Sequence, residues 1–257
     1  MKIALIIGAI LLALGILIAL VGFWMLGFDF TKLSSFTYTT HTYTPEEAFT
    51  EISFTGTTCD VRFAKSEDDT CKVVCKVDDR FTPTVDVKNG TLNIQMEDTL
   101  KWWQHIGFNW GTNIITVYLP EKDYSLLEVN TVTGDVIIES GISLSSVTLT
   151  AVTGDIQVSS LSCQRFSVNV TTGDIMLRDV IAQTMNLKST TGDIELDRCD
   201  GDTITIKATT GDVEGSLRTG KQFYADVTTG DVRVPSDSGE GTCTVTTTTG
   251  DIEITVE

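Results

Sequence analysis

From Leu127 to the C-terminus, apolar and polar residues alternate, and the alternation changes phase at a glycine that keeps returning. The glycines are Gly134, Gly154, Gly173, Gly192, Gly211, Gly230 and Gly250, at intervals of 20, 19, 19, 19, 19 and 20 residues. Seven positions before them stand Leu127, Val147, Phe166, Met185, Ile204, Phe223 and Cys243. Five before stand Val129, Leu149, Val168, Leu187, Ile206, Ala225 and Val245. A step of two residues with one apolar side predicts a strand that turns one face to a core.

Beyond the glycine the apolar positions fall at plus two (Val136, Ile156, Ile175, Ile194, Val213, Val232, Ile252) and plus four, where Gly215 breaks the column. Between the Thr before each glycine and the residue at plus two the step is three. An odd step turns the face over unless the chain bends there. Glycine permits the dihedrals of such a bend, and a following Asp can hydrogen-bond neighbouring backbone. Thr-Gly-Asp therefore predicts a structural corner, with Asp135, Asp155, Asp174, Asp193, Asp212, Asp231 and Asp251 aligned along one edge. Each repeat reads as strand, corner, short strand and variable return, and a constant interval means stacked copies of one unit. The fold expected is all-β: a β-solenoid of about 19-residue coils, spaced about 4.8 Å apart.

Weaker copies lie upstream. "EISFTGTTCDVRF" fits the columns with Cys59 in the glycine's place. "VDVKNGTLNI" fits either as a further coil aligned on Gly90 or as a plain hairpin turning at Asn89-Gly90. Cys59 to Gly134 is 75 residues, close to four coil lengths. Residues 45–257 are thus expected to form one domain, irregular over 45–125 and regular over 126–257.

The first 28 residues differ in kind. Ile3 to Phe28 holds no charged residue, and a helix of that length exceeds the roughly 30 Å hydrocarbon core of a bilayer. Residues 1–28 are expected to be a transmembrane signal-anchor helix, and residues 29–44, Thr-rich and polar, a stalk. Lys2 before the helix and Asp29 after it predict the N-terminus inside and the C-terminal domain outside the cell membrane.

Charge narrows the partners. The chain carries −17 at pH 7, and the 35 acidic residues all follow position 28. That balance argues against nucleic acid and against an anionic lipid surface as partners, since both repel it. It suits an exported domain, a cationic partner or divalent ions. The six cysteines include no CxxC and have only His41 and His105 for company, so no zinc site is expected. They read as small buried hydrophobes. Cys59 and Cys75 across a hairpin are a pairing that sequence alone does not decide.

Stacked aspartates about 4.8 Å apart repel by roughly 0.9 kcal/mol in water. A charge-assisted bond to a corner N–H contributes about 1.5–3 kcal/mol. The ladder therefore stands without a metal, and no cofactor is expected; calcium is the alternative. No nucleophile–base order or phosphate loop is visible, so no catalytic residue is assigned. The clearest departure from the repeat is "LKWWQHIGFNWG", where Trp102, Trp103, Phe108 and Trp110 crowd together. They either pack over the end of the solenoid or form a binding surface.

The repeated "TTGD-[IV]-x-[IVL]" segment resembles a bacterial family of TTGD-repeat envelope proteins called "putative adhesins", a domain of unknown function. The resemblance implies a β-helix-like fold, extracytoplasmic placement and no established reaction; some members accompany cell-envelope stress regulators. The function expected is a membrane-anchored, surface-displayed binding or adhesion protein without catalytic activity, its partner a protein or a glycan. The alternatives are a cell-envelope stress or signalling accessory that binds another membrane protein, and a polysaccharide-acting β-helix enzyme.

Overall fold

The computed structural model describes residues 2–25, 37–96, 111–236 and 239–257. Contacts divide the chain into an N-terminal unit and a body made of residues 39–99 and 112–257. In the first, the apolar run is helical: α1 spans Lys2–Met25, and the large side chains of Leu11, Leu12, Ile16, Leu20 and Trp24 are exposed. Among the described residues no helical stretch is established as long and apolar enough to cross a membrane. The helix is shown; a membrane crossing is not.

The body is all-β. Its irregular start contains β1 (Tyr38–Tyr43), β2 (Glu51–Thr58), β3 (Asp60–Lys65), β4 (Lys72–Asp78), β5 (Thr84–Lys88), β6 (Thr91–Met96) and β7 (Ile114–Leu119). The repeats begin with β8 (Asp123–Tyr124), β9 (Leu126–Thr133), β10 (Val136–Ile138), β11 (Ser143–Leu144) and β12 (Ser146–Thr153). Three long strands follow: β13 (Ile156–Thr172), β14 (Ile175–Thr191) and β15 (Ile194–Thr210). The chain ends with β16 (Val213–Leu217), β17 (Gln222–Thr229), β18 (Val232–Arg233), β19 (Thr242–Thr249) and β20 (Ile252–Val256). Val, Ile and Thr dominate these segments, as suits a pleated surface buried on one side.

Coil stacks on coil in parallel register, glycine column on glycine column. Phe166 pairs with Met185 and Met185 with Ile204; Ile156 pairs with Ile175 and Ile175 with Ile194. The paired apolar side chains are fully buried and fill the interior. One corner had no consensus to betray it. Ser160, Asp179 and Arg198, nineteen residues apart, adopt φ of 53°, 53° and 50°. A single left-handed residue bends each long strand there, so the "variable return" is a second regular corner.

Three expectations need correction. The 75 residues between Cys59 and Gly134 do not wind four coils. Cys59 lies directly against Gly134's rung, donating its N–H to Thr133 O at 3.0 Å, while Val61 pairs with Val136. The intervening chain doubles back instead: β5 and β6 form an antiparallel hairpin, and β4 pairs antiparallel with β7. Asn89 and Gly90, at φ 54° and 80°, make its turn. The hairpin reading of that segment holds, yet β6 also stacks parallel on β2 as a coil strand would. Secondly, residues 38–43, assigned to the stalk, form β1, which pairs with β4.

The third correction concerns order. Sequential stacking would place the last coil at the end. Instead β19 pairs with β15 on one side and β17 on the other, and β20 lies between β16 and β18. The C-terminal coil is inserted between the two coils that precede it.

Candidate functional site

The corner is built from backbone outward. Gly192 has φ +131°, and a Cβ there would stand 2.1 Å from the carbonyl oxygen of Gly173. Only glycine lets the rungs approach this closely. Each aspartate then binds the rung beside it. Asp60 Oδ1 accepts the N–H of Asp135 at 3.0 Å, Asp135 that of Asp155 at 2.9 Å, and Asp155 that of Asp174 at 2.8 Å. Asp174 accepts from Asp193, and Asp193 from Asp212, both at 2.8 Å. Asp212 accepts from Asp251 at 2.7 Å and Asp251 from Asp231 at 2.8 Å. The ladder thus follows the inserted order of the coils, and Asp60 extends it by a residue outside the Thr-Gly-Asp copies. Among the described residues, no group of three or more His, Cys, Asp or Glu is placed to hold a metal ion.

The second corner carries a ladder of opposite charges. Arg198 forks onto Asp179 at 3.0 and 2.7 Å. Arg218 adds a third contact to Asp179 at 2.7 Å and bonds Arg198 O at 2.9 Å. Arg178 reaches Asp197 at 2.9 Å. Arg198, helped by Arg218, holds the Asp179 carboxyl down at about 2.

Beside this corner the returns enclose an open depression of about 680 Å³, with Cys163, Asp200, Glu240 and Lys221 in its lining. Lys221 is buried, its ammonium 2.7 Å from Asp200 and 2.6 Å from Thr219 Oγ1. A buried charge paired in this way is consumed by structure. All six cysteines are free thiols, and all but Cys163 are buried. Burial pushes Cys163 and Cys199 up to about 11, and Cys59, Cys75 and Cys243 to about 12. These thiols stay protonated at neutral pH and are poor nucleophiles. His41 contacts Thr39 at 3.1 Å.

Trp102, Trp103, Phe108 and Trp110 lie outside the described residues. The glycines and aspartates of the repeat are brought together as rungs of one corner. What the repeat pattern did not reveal is a difference between the two outward sheet faces flanking that corner. Beyond the glycines, Glu195, Glu214 and Glu253 stack in adjacent rungs. Before the glycines, Lys188 and Lys207 do so.

Comparison with curated proteins finds no match. Among solved structures, a "putative adhesin" from Bacteroides fragilis NCTC 9343 is similar at 21% identity and TM-score 0.49, covering 85% of this chain and 97% of its own. A "putative cell adhesion protein" from Clostridium sporogenes ATCC 15579 aligns at 11% identity and TM-score 0.45, covering 86% and 100%. A "putative lipid binding protein" from Parabacteroides distasonis ATCC 8503 aligns at 14% identity and TM-score 0.43, covering 87% and 98%. The repeat that forms the corners lies within residues 49–257, which match the Toastrack DUF4097 model over that whole length, and the chain belongs to that family.

Proposed function

We propose that this protein is a membrane-anchored, extracytoplasmic β-solenoid that acts by binding at a surface, as an adhesin does, and turns over no substrate. The observation that carries this is the employment of the repeated ionisable groups. The corner carboxylates accept neighbouring N–H groups, Lys221 is paired with Asp200, and the Asp179–Arg198 pair holds the second corner. Among the described residues the sheet turns an extended, regular face outward, which is a platform. The proposed anchor is α1, Lys2–Met25, whose described apolar side chains from Leu11 to Trp24 stand exposed. Lys2 in its first turn favours N-inside orientation.

The test displays the full-length chain on cells that lack it and scores adherence to bacterial and host surfaces. Retention above that of cells displaying α1 alone is expected. Adherence no greater than that control would sink the reading.

One observation favours the second reading, an envelope accessory that binds another membrane protein. Gly8, Gly15 and Gly22 recur every seven residues on α1, and among the described residues nothing lies within 4 Å of a Cβ at any of them. Small residues at such spacing let a second helix approach. Crosslinking from Gly15 in intact membranes distinguishes the two, because one dominant membrane-protein adduct is expected only of the accessory.

A further inference from the structure

We infer that the outward sheet face before the glycine corners is a docking surface for a linear acidic polysaccharide, gripped by Lys188 and Lys207. This rests on the binding reading above and names its ligand class.

The face is set by strand parity. Residues four before each glycine point outward and stack as Asn130, Thr150, Asn169, Lys188, Lys207, Thr246 and Asp226. The row two residues earlier runs Glu128, Thr148, Ser167, Asn186, Thr205, Thr244 and Tyr224. Across the central rungs, from Thr150 to Thr246, neither row contains a carboxylate, although the chain has 35 of them. The row nearest the corner is equally free of acid, running from Val152 through Thr171, Thr190 and Thr209 to Thr248. Four rung spacings make this region roughly 19 Å long.

Its only charges in these rows are two ammonium groups in direct register. Lys188 and Lys207 are both exposed, and neither has an ion-pair partner among the described residues. Like charges opposite one another on adjacent strands destabilise a sheet. Elsewhere on this molecule Arg178, Arg198 and Arg218 are each given an aspartate. Here the pair is left uncompensated in a strongly acidic protein. Glu128 and Asp226 stand at the far ends, three rungs from Lys188 and two from Lys207 respectively. That is about 14 and 10 Å, beyond the roughly 8 Å screening length at physiological salt.

A shallow groove of about 270 Å³ runs between these rungs, lined by Ser167, Asn169, Asn186, Lys188, Thr205 and Lys207. Amides and hydroxyls that donate and accept suit sugar hydroxyls, and the ammonium groups suit carboxylates recurring along a chain. The central rungs expose no aromatic ring, as stacked bases would require. Val152 is exposed there, a single apolar side chain that makes no wedge for a lipid interior, and the rungs, paired on both sides, offer no open edge for a peptide strand. A hydroxyl-rich polymer with one acidic group per residue is the class that matches.

The test uses the full chain in neutral-lipid nanodiscs, titrated calorimetrically with an oligogalacturonate of defined length and with its fully methyl-esterified form. Binding of the acid form alone is expected, weakening as salt rises. Lys188→Gln and Lys207→Gln should each weaken it roughly tenfold, while Lys76→Gln, on strand β4, should not. Unchanged melting midpoints show that the variants fold. Equal binding of the ester, lysine variants that bind like wild type, or no binding of the oligouronate overturns the inference. So does tighter binding to phosphatidylglycerol vesicles or to DNA. Should adherence of displaying cells persist in the Lys188→Gln/Lys207→Gln double variant, the adhesion reading stands and this ligand assignment falls. Absence of adherence in the wild type removes the broader reading instead.

Discussion

Gly192 and Gly90 separate two costs that are usually met together. Both have positive φ, but a Cβ at Gly192 would strike the carbonyl of Gly173 at 2.1 Å, whereas nothing lies within 4 Å of one at Gly90. Gly90→Ala therefore meets backbone strain alone, roughly 1–2 kcal/mol. Gly192→Ala adds a backbone clash that pries two rungs apart, and on the order of 3 kcal/mol or more is expected. Urea denaturation of both variants checks the difference; equal losses would mean that the corners are not tightly stacked. At this scale the sequence was highly legible. The parity change across Gly192 encodes a bend between Ser189, which faces inward, and Ile194, because strand facing has a period of two. Cys59 was legible for the same reason, through its flanking columns. Arg198 was not: its left-handed φ is imposed by the rungs beside it, and no residue preference marks the position.

Among elements, the second corner gives the fold a titratable seam. Arg198, with Arg218 behind it, holds Asp179 at about 2, below the roughly 3.9 of a free aspartate. A lowered carboxyl pKa contributes stability that is fully present above the unfolded value and disappears as pH falls through the folded one. The wild-type chain should therefore be more stable than Asp179→Asn above about pH 4, and the gap should close between pH 4 and 2. Thermal melts of the two across that range check the sign, and a constant gap would assign Asp179 a packing role only. The β5–β6 hairpin shows why elements were harder to read than residues. Asn89-Gly90 dictates an antiparallel turn locally, while Leu92 and Ile94 also fit the coil columns. Sequence left both open because β6 does both jobs, pairing antiparallel with β5 and parallel with β2.

For the whole molecule, the repeat reveals what a rung is but not where it goes. Every copy offers nearly the same columns, so any rung fits beside any other, and nothing in the spacing places Thr242–Val256 before Gln222–Arg233. The inserted order has a measurable effect. Removing residues 241–257 should do more than shorten the stack, because β17 and β18 lose their neighbours β19 and β20. Hydrogen exchange should find Gln222–Thr229 unprotected in that truncation; retained protection would mean that β17 re-docks on β15. The Lys188–Lys207 face was equally hidden, since its meaning lies in which carboxylates are missing from three rows of a two-dimensional array.

The inserted coil also sets a timetable. Gln222–Arg233 precedes Thr242–Val256 in the chain, so the outermost rung is made before the neighbour that must enter beside it. Its columns match the vacant place beside β15, and it is the nearest competitor for that place. Completion of this solenoid therefore waits for Thr242–Val256 to take the position from within, and until then β15 and β16 lack the neighbours that the finished stack gives them.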